Sequence, residues 1–202
     1  MTTSSTNALM RAEARYSASW HVGARGVGES TETTVWRDVG EDPGAVKEFM
    51  GEATRRAASA YVPWMQRFSR GLIGDIPERG SAQGPSFFLR PLRFEIMAFS
   101  PLRDGPGDGE VSLCVQAGFL APKVDADAHD GRLIFSWWRE GADEIFQTKV
   151  RGYRSRLAGR GGPIGRALYA VSQMQAHRFV MWRFHVWVRS QRNELLPFAH
   201  LG

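Results

Sequence analysis

The middle of the chain is a succession of short segments that alternate apolar and polar side chains and follow one another through local turns. Over residues 92–99, Leu92, Phe94, Ile96 and Ala98 alternate with Arg93, Glu95, Met97 and Phe99, the two-residue period of a strand with one apolar face. The glycine- and aspartate-rich DGPGDGE then leads into 111–120, where Val111, Leu113, Val115, Ala117 and Phe119 share a face. Residues 133–139 and 144–157 form the next pair, with Glu140-Gly-Ala-Asp143 as a short hairpin turn. A parallel sheet would need a helix between each pair of strands, so these connections predict antiparallel pairing and an α+β fold.

Helical patterns flank this region. An earlier strand is expected over 31–39 (TETTVWRDV). After it Asp42 suits an N-cap and Pro43 a first helical position, and Val46, Phe49, Met50, Ala53, Ala57, Tyr61, Trp64 and Phe68 recur at helical spacing. Pro63 is expected to kink or divide this element near Val62, giving a helix pair after the first strand. Residues 71–84 read as a loop. Towards the other end Ile164, Ala167, Leu168, Val171 and Met174 mark an amphipathic helix. The run VMWRFHVWV over 180–188 fits either period, and the helix is preferred. Only Gly165 interrupts 164–196, and so apolar an edge strand would invite aggregation.

A chain of 202 residues fits one domain. The expected division is a flexible or short helical segment over 1–20, its helix over 7–16, and a single α+β domain over 21–202. Cys114 is the sole cysteine, which excludes an internal disulfide framework and suits a reducing cytoplasm. The first twenty residues lack the apolar core of a secretory signal, and no apolar run approaches about 18 residues, so a cytoplasmic location is expected. Charge is uneven: from Ile145 onward ten Lys/Arg meet one acid, Glu194, a balance of +9, while the preceding residues sum to −4. Such an end attracts phosphate groups, an anionic membrane, nucleic acid or an acidic carrier domain, or is simply a solvated surface.

Individual motifs point to little chemistry. LAGRGGPIGRAL over 157–168 places glycines between a strand and a helix, but no second strand and no acidic residue about 20 positions on complete a dinucleotide fingerprint. It reads as the corner where the sheet hands over to the helix, with an anion held by Arg160 and the helix start as the alternative. Asp125-Ala-Asp-Ala-His-Asp-Gly131 lacks the glycine and glutamate of a calcium loop and reads as a solvated turn. The five histidines show no metal-helix spacing, although His177 and His185 lie eight apart and so roughly on one side of a continuous helix. No metal and no cofactor is expected. Trp137 shares a face with Leu133, Phe135 and Arg139, and Arg90 precedes Leu92, Phe94 and Ile96. An arginine at the inner end of an apolar row meets the acid end of an apolar ligand or snorkels to the rim.

The order of strand, helix pair, antiparallel strands and long final helix resembles the START-like helix-grip superfamily, also called SRPBCC. Gly161-Gly-Pro-Ile-Gly-Arg166, with Gln173 or Gln175 beyond it, is similar to the sheet-to-helix corner of one uncharacterised bacterial family of that group. Glu95-Ile-Met-Ala-Phe-Ser-Pro101 resembles the same family's Ala-Phe-Ser-Arg-Pro element, which there directly precedes the corner; the family's Leu-Pro-Gly-His-Pro-Glu motif is absent here. The resemblance implies a curved antiparallel sheet packed on a long C-terminal helix around an apolar cavity, as in lipid carriers, polyketide cyclases and hormone receptors. The implied partner is a hydrophobic small molecule, held against Arg90, Phe94, Val115, Trp137 and Arg139. Cyclase-like chemistry would draw on Glu144, Tyr153 and His177 as acid, base or hydrogen-bonding groups. The basic end would then receive an acidic carrier protein or an anionic lipid surface. Nucleic acid is disfavoured because the arginines form no recognised motif.

Overall fold

The computed structural model describes residues 14–22, 27–37, 47–74, 84–90, 94–117, 131–154 and 172–196. In chain order the elements are β1 (Ala14–Val22), β2 (Val27–Trp36), β3 (Glu48–Phe49), α1 (Gly51–Phe68), β4 (Ile73–Gly74) and β5 (Ser86–Leu89). There follow β6 (Phe94–Phe99), β7 (Arg103–Asp104), β8 (Glu110–Ala117), β9 (Arg132–Glu140), β10 (Asp143–Arg154), α2 (Gln173–Ser190) and α3 (Arg192–Leu195). The described strands form one sheet in the order β1-β2-β10-β9-β8-β6-β5-β4, with β3 beside β9 and β7 beside β8. Every pairing is antiparallel. The protein is therefore α+β, with a large antiparallel sheet and a helix near its C-terminal end.

Strand register builds the inner face row by row, because residues opposite one another across a ladder point the same way. One row runs Trp36, Glu144, Arg139; the next Thr34, Phe146, Trp137; the third Glu32, Thr148, Phe135, Val111; the fourth Ser30, Val150, Leu133, Leu113. Helices α1 and α2 cover these rows. The Tyr61 ring of α1 lies 5.0 Å from Phe184 of α2 and 5.7 Å from Phe135 of β9. Phe184 also meets Trp64 and Phe146 and is fully buried. Burying a side chain of this size contributes about 1.5–3 kcal/mol, and each edge-to-face pair adds about 0.5–1.5 kcal/mol.

Several expectations are met and several corrected. The 140–143 turn closes β9 onto β10, with Gly141 at φ 60°. Residues 179–189 are helical, but α2 buries only one stripe, Met181, Phe184, His185 and Val188, and exposes Phe179 and Trp182. Ala14–Trp20, expected in a flexible or short helical segment, belong to strand β1, because nine register pairs with β2 outweigh local helix propensity. The break expected near Val62 is not there: α1 runs unbroken from Gly51 through Pro63 to Phe68, while Asp42 and Pro43 lie outside the described residues. Ser59 and Pro63 both lie on its exposed side, so water replaces the backbone hydrogen bond that the proline removes. Ile73–Gly74, expected in a loop, pairs with β5. In β6 a register irregularity between Ala98 and Phe99 buries both side chains and ends the single apolar face. The glycine corner over 157–168 and residues 125–130 of the acidic turn lie outside the described residues.

A bulge in β10 decides which side chain enters the interior. Val150 pairs with Ser30 and Tyr153 with Gly28, so three steps along β10 match two along β2. Gly152 absorbs the extra residue at φ 63°. With an unbroken two-residue period, Gly152 would face inward and Tyr153 outward; the bulge reverses this and Tyr153 is buried. Gly152→Val is expected to lower stability by about 1–3 kcal/mol, since a branched residue is strained at this φ, and the midpoint of urea unfolding measures it.

Candidate functional site

The inward face of β2 is polar where a core strand is ordinarily apolar. Ser30, Glu32 and Thr34 are buried beside Trp36, and Thr148 of β10 lies opposite Glu32. Buried polar groups need partners, and α2 supplies them. The His185 ring is bracketed by Thr34 Oγ1, 2.8 Å from Nδ1, and Thr148 Oγ1, 3.0 Å from Nε2. Thr148 Oγ1 in turn donates to Glu32 Oε2 at 3.1 Å. With Glu32 ionised, the single Thr148 proton goes to the carboxylate, His185 Nε2–H donates to Thr148, and Nδ1 accepts from Thr34. Two turns earlier on the same helix, His177 Nε2 stands 3.7 Å from Glu32 Oε1, and its ring meets Trp20 of β1 edge-on at 4.9 Å.

A cavity of about 300 Å³ opens beside this network, between the sheet and the two helices. Its walls are largely apolar: Met65 of α1, Ile96 and Phe99 of β6, Val115 of β8, Leu133 of β9 and Val180 of α2. Trp20, Ser30, Tyr61, Tyr153 and His177 supply the polar part of the lining, and His21, Glu29 and Arg132 are exposed residues at its edge. Burial sets the protonation of the interior. It pushes the Glu32 carboxyl up to about 7, against hydrogen bonding from Thr148. Ser30 Oγ also favours the ionised carboxylate, although it makes no well-aligned hydrogen bond. Burial pulls His177 down to about 4 and His185 to about 3. Tyr61 is raised by burial and by the neighbouring Glu32. Both histidines are thus uncharged at neutral pH, while Glu32 is poised between its two forms.

The residues singled out from the sequence divide into two places. Val115, Tyr153 and His177 line the cavity together. Glu144 and Arg139 instead lie at the opposite end of the inner face, in the row next to the turn between β9 and β10, with Trp137 in the row beside it. There Arg192 of α3 donates to both Glu144 oxygens, at 2.8 and 2.6 Å, Trp137 Nε1 donates at 3.1 Å, and Arg139 Nε lies 3.7 Å away. A carboxylate held this way ties α3 to the sheet. Trp137 is stacked on Trp36 at 5.7 Å within the core. Arg90 is exposed after β5, its guanidinium packed over Gly74, where a Cβ would collide with Nε. The Phe94 side chain lies outside the described residues.

Sequence reasoning missed Glu32, Ser30, His185, Trp20 and Tyr61 as members of this region. Ser30-x-Glu32-x-Thr34 has the alternation of an ordinary solvated strand face. The one available signal was the eight-residue spacing of His177 and His185, which does place both on the buried side of α2.

No protein-family model matches this chain, and no curated protein matches it. Among solved structures, CalU16 from Micromonospora echinospora superposes at a TM-score of 0.32 with 11% identity, over 87% of this chain and 96% of that one. At that TM-score the likeness supports neither a fold assignment nor a function.

The three buried groups give opposing pH dependences. Glu32, raised from 4.5 to about 7, adds stability that is full below pH 4.5 and is lost as pH rises to 7. His177 and His185, lowered from 6.5, add stability that is full above pH 6.5 and is lost as pH falls towards 4. Near pH 5.5 the unfolded chain therefore binds about one more proton than the folded one from these three groups, and stability rises with pH. Glu32→Gln removes the opposing contribution, so unfolding free energy should rise more steeply with pH between pH 5 and 6 in the variant than in the unsubstituted protein, as read from urea titrations at stepped pH.

Proposed function

We propose that the protein binds an apolar small molecule between its sheet and α2, in an arrangement like that of the helix-grip superfamily. The observation that supports this is the cavity itself: about 300 Å³, walled mainly by apolar side chains, with a few polar groups among them. Ligand sites commonly have this size and this division of labour, in which apolar walls supply affinity and a few hydrogen-bonding groups fix orientation. A cyclase-like activity on a polyketide-type substrate is the catalytic form of the same reading. The cavity walls would fold the chain, and Tyr153 and His177 are two of the groups at the cavity able to donate or accept a proton.

A second reading has its own observation. Phe179 and Trp182 on α2 are 54% and 42% exposed, Arg183 lies over the Trp182 ring at 5.7 Å, and Arg178 and Arg189 are exposed on the same helix. Aromatic rings among arginines suit the headgroup layer of an anionic membrane, reached peripherally. No helix among the described residues is long and apolar enough to cross a bilayer. On this reading Trp182→Ala with Phe179→Ala abolishes co-sedimentation with phosphatidylserine vesicles at low salt; no sedimentation of the unsubstituted protein would dismiss it.

For the leading reading, native mass spectrometry of freshly purified protein should show a retained apolar adduct. Val115→Trp, which places an indole into the cavity, should release it while circular dichroism stays unchanged. Retention of the adduct by the folded variant would locate binding elsewhere.

A further inference from the structure

Trp20, Ser30 and His177 line the cavity, and their Nε1, Oγ and Nε2 atoms are buried without a hydrogen-bond partner, as is Glu32 Oε1, 3.7 Å from His177 Nε2. Folded proteins leave few such atoms unpaired, because each forfeits its hydrogen bonds to water. Deeper under α2 the same network is satisfied: Glu32 Oε2 accepts from Thr148, and both ring nitrogens of His185 are engaged. Satisfaction stops where the network reaches the cavity wall.

We propose that this wall binds a neutral hydroxyl carried by an otherwise apolar ring system. The proposal rests on the cavity reading above and specifies the ligand's polar end. Trp20 Nε1 can only donate, and a hydroxyl oxygen accepts from it. The hydroxyl proton then needs an acceptor, which the uncharged His177 provides. Glu32 lines no part of the cavity; its Oε1 lies 3.7 Å from His177 Nε2, beyond hydrogen-bond reach. The His177 side chain keeps 27% of its surface accessible beside the cavity, and turning Nε2 towards a ligand breaks no hydrogen bond, since it makes none. A ligand carboxylate does not suit this wall, because Glu32 stands behind it; Arg132, the arginine among the lining residues, is exposed at the edge.

The test compares 2-naphthol with naphthalene, two probes of nearly equal shape that differ by one hydroxyl, titrated into the full chain. The proposal expects 2-naphthol to bind about ten-fold more tightly, the worth of a buried hydrogen bond to an unpaired group. In His177→Phe the ratio of the two affinities should fall to about two-fold or less; a purely structural effect would change both affinities and leave their ratio near ten-fold. Trp20→Phe reads the same ratio from the donor side, and serves if the His177 variant fails to fold. Equal affinities of the unsubstituted protein for the two probes would overturn the hydroxyl assignment and leave the cavity reading standing. A preference that survives in the folded variants would also overturn it. Binding of neither probe would remove the cavity reading itself, and the assignment with it.

Discussion

A carboxyl group with no solvent around it organises this protein. Glu32 stands on the inward face of β2 with no accessible surface, and a group of that kind is tolerated only where hydrogen bonds or a proton compensate for lost water. Thr148 reaches it from the neighbouring strand and His185 extends the network to α2 and on to Thr34. Hydrogen bonds are directional, so this bridge sets the rotation of α2 about its own axis. Met181, Phe184 and Val188 then fall into the core, and Phe179 and Trp182 fall outside. An apolar interface alone would have left that rotation less tightly specified.

The two ends of the inner face treat a buried acid in opposite ways. Glu144 is neutralised by Arg192 and hydrogen-bonded by Trp137, so its charge is spent on holding α3 against the sheet. Among the described residues no arginine pairs with Glu32, and burial raises its pKa instead. One end is a structural clamp; the other keeps unused hydrogen-bonding capacity beside an apolar cavity. The bulge at Gly152 belongs to the second end, since it turns Tyr153 into the same space.

Antiparallel pairing, the 140–143 hairpin and the helical nature of 179–189 could be read from the sequence, because turn chemistry and the lack of helix breakers act locally. The outcome differed where tertiary contacts decide. Ala14–Trp20 became an edge strand only because β2 was there to pair with, and α1 survived Pro63 because its open side faced water. Arg139 and Glu144 were correctly expected on the strands, but nothing local shows which end of a row meets a cavity and which meets α3. Glu32 was invisible for a plainer reason: a polar residue at every second position of a strand is the pattern of a solvated face, and only the helix packed over it makes it interior.

The central claim is that Glu32 and His185 are buried beneath α2, and nuclear magnetic resonance of these side chains and His177 tests that most directly. With carbon-labelled glutamate and nitrogen-labelled histidine, the account predicts one carboxyl, lost in Glu32→Gln, that titrates near pH 7. It also predicts that the His177 and His185 rings remain neutral down to about pH 5. Glu32 titrating with ordinary glutamates and both histidines protonating near pH 6.5 would show water in the network and contradict the account.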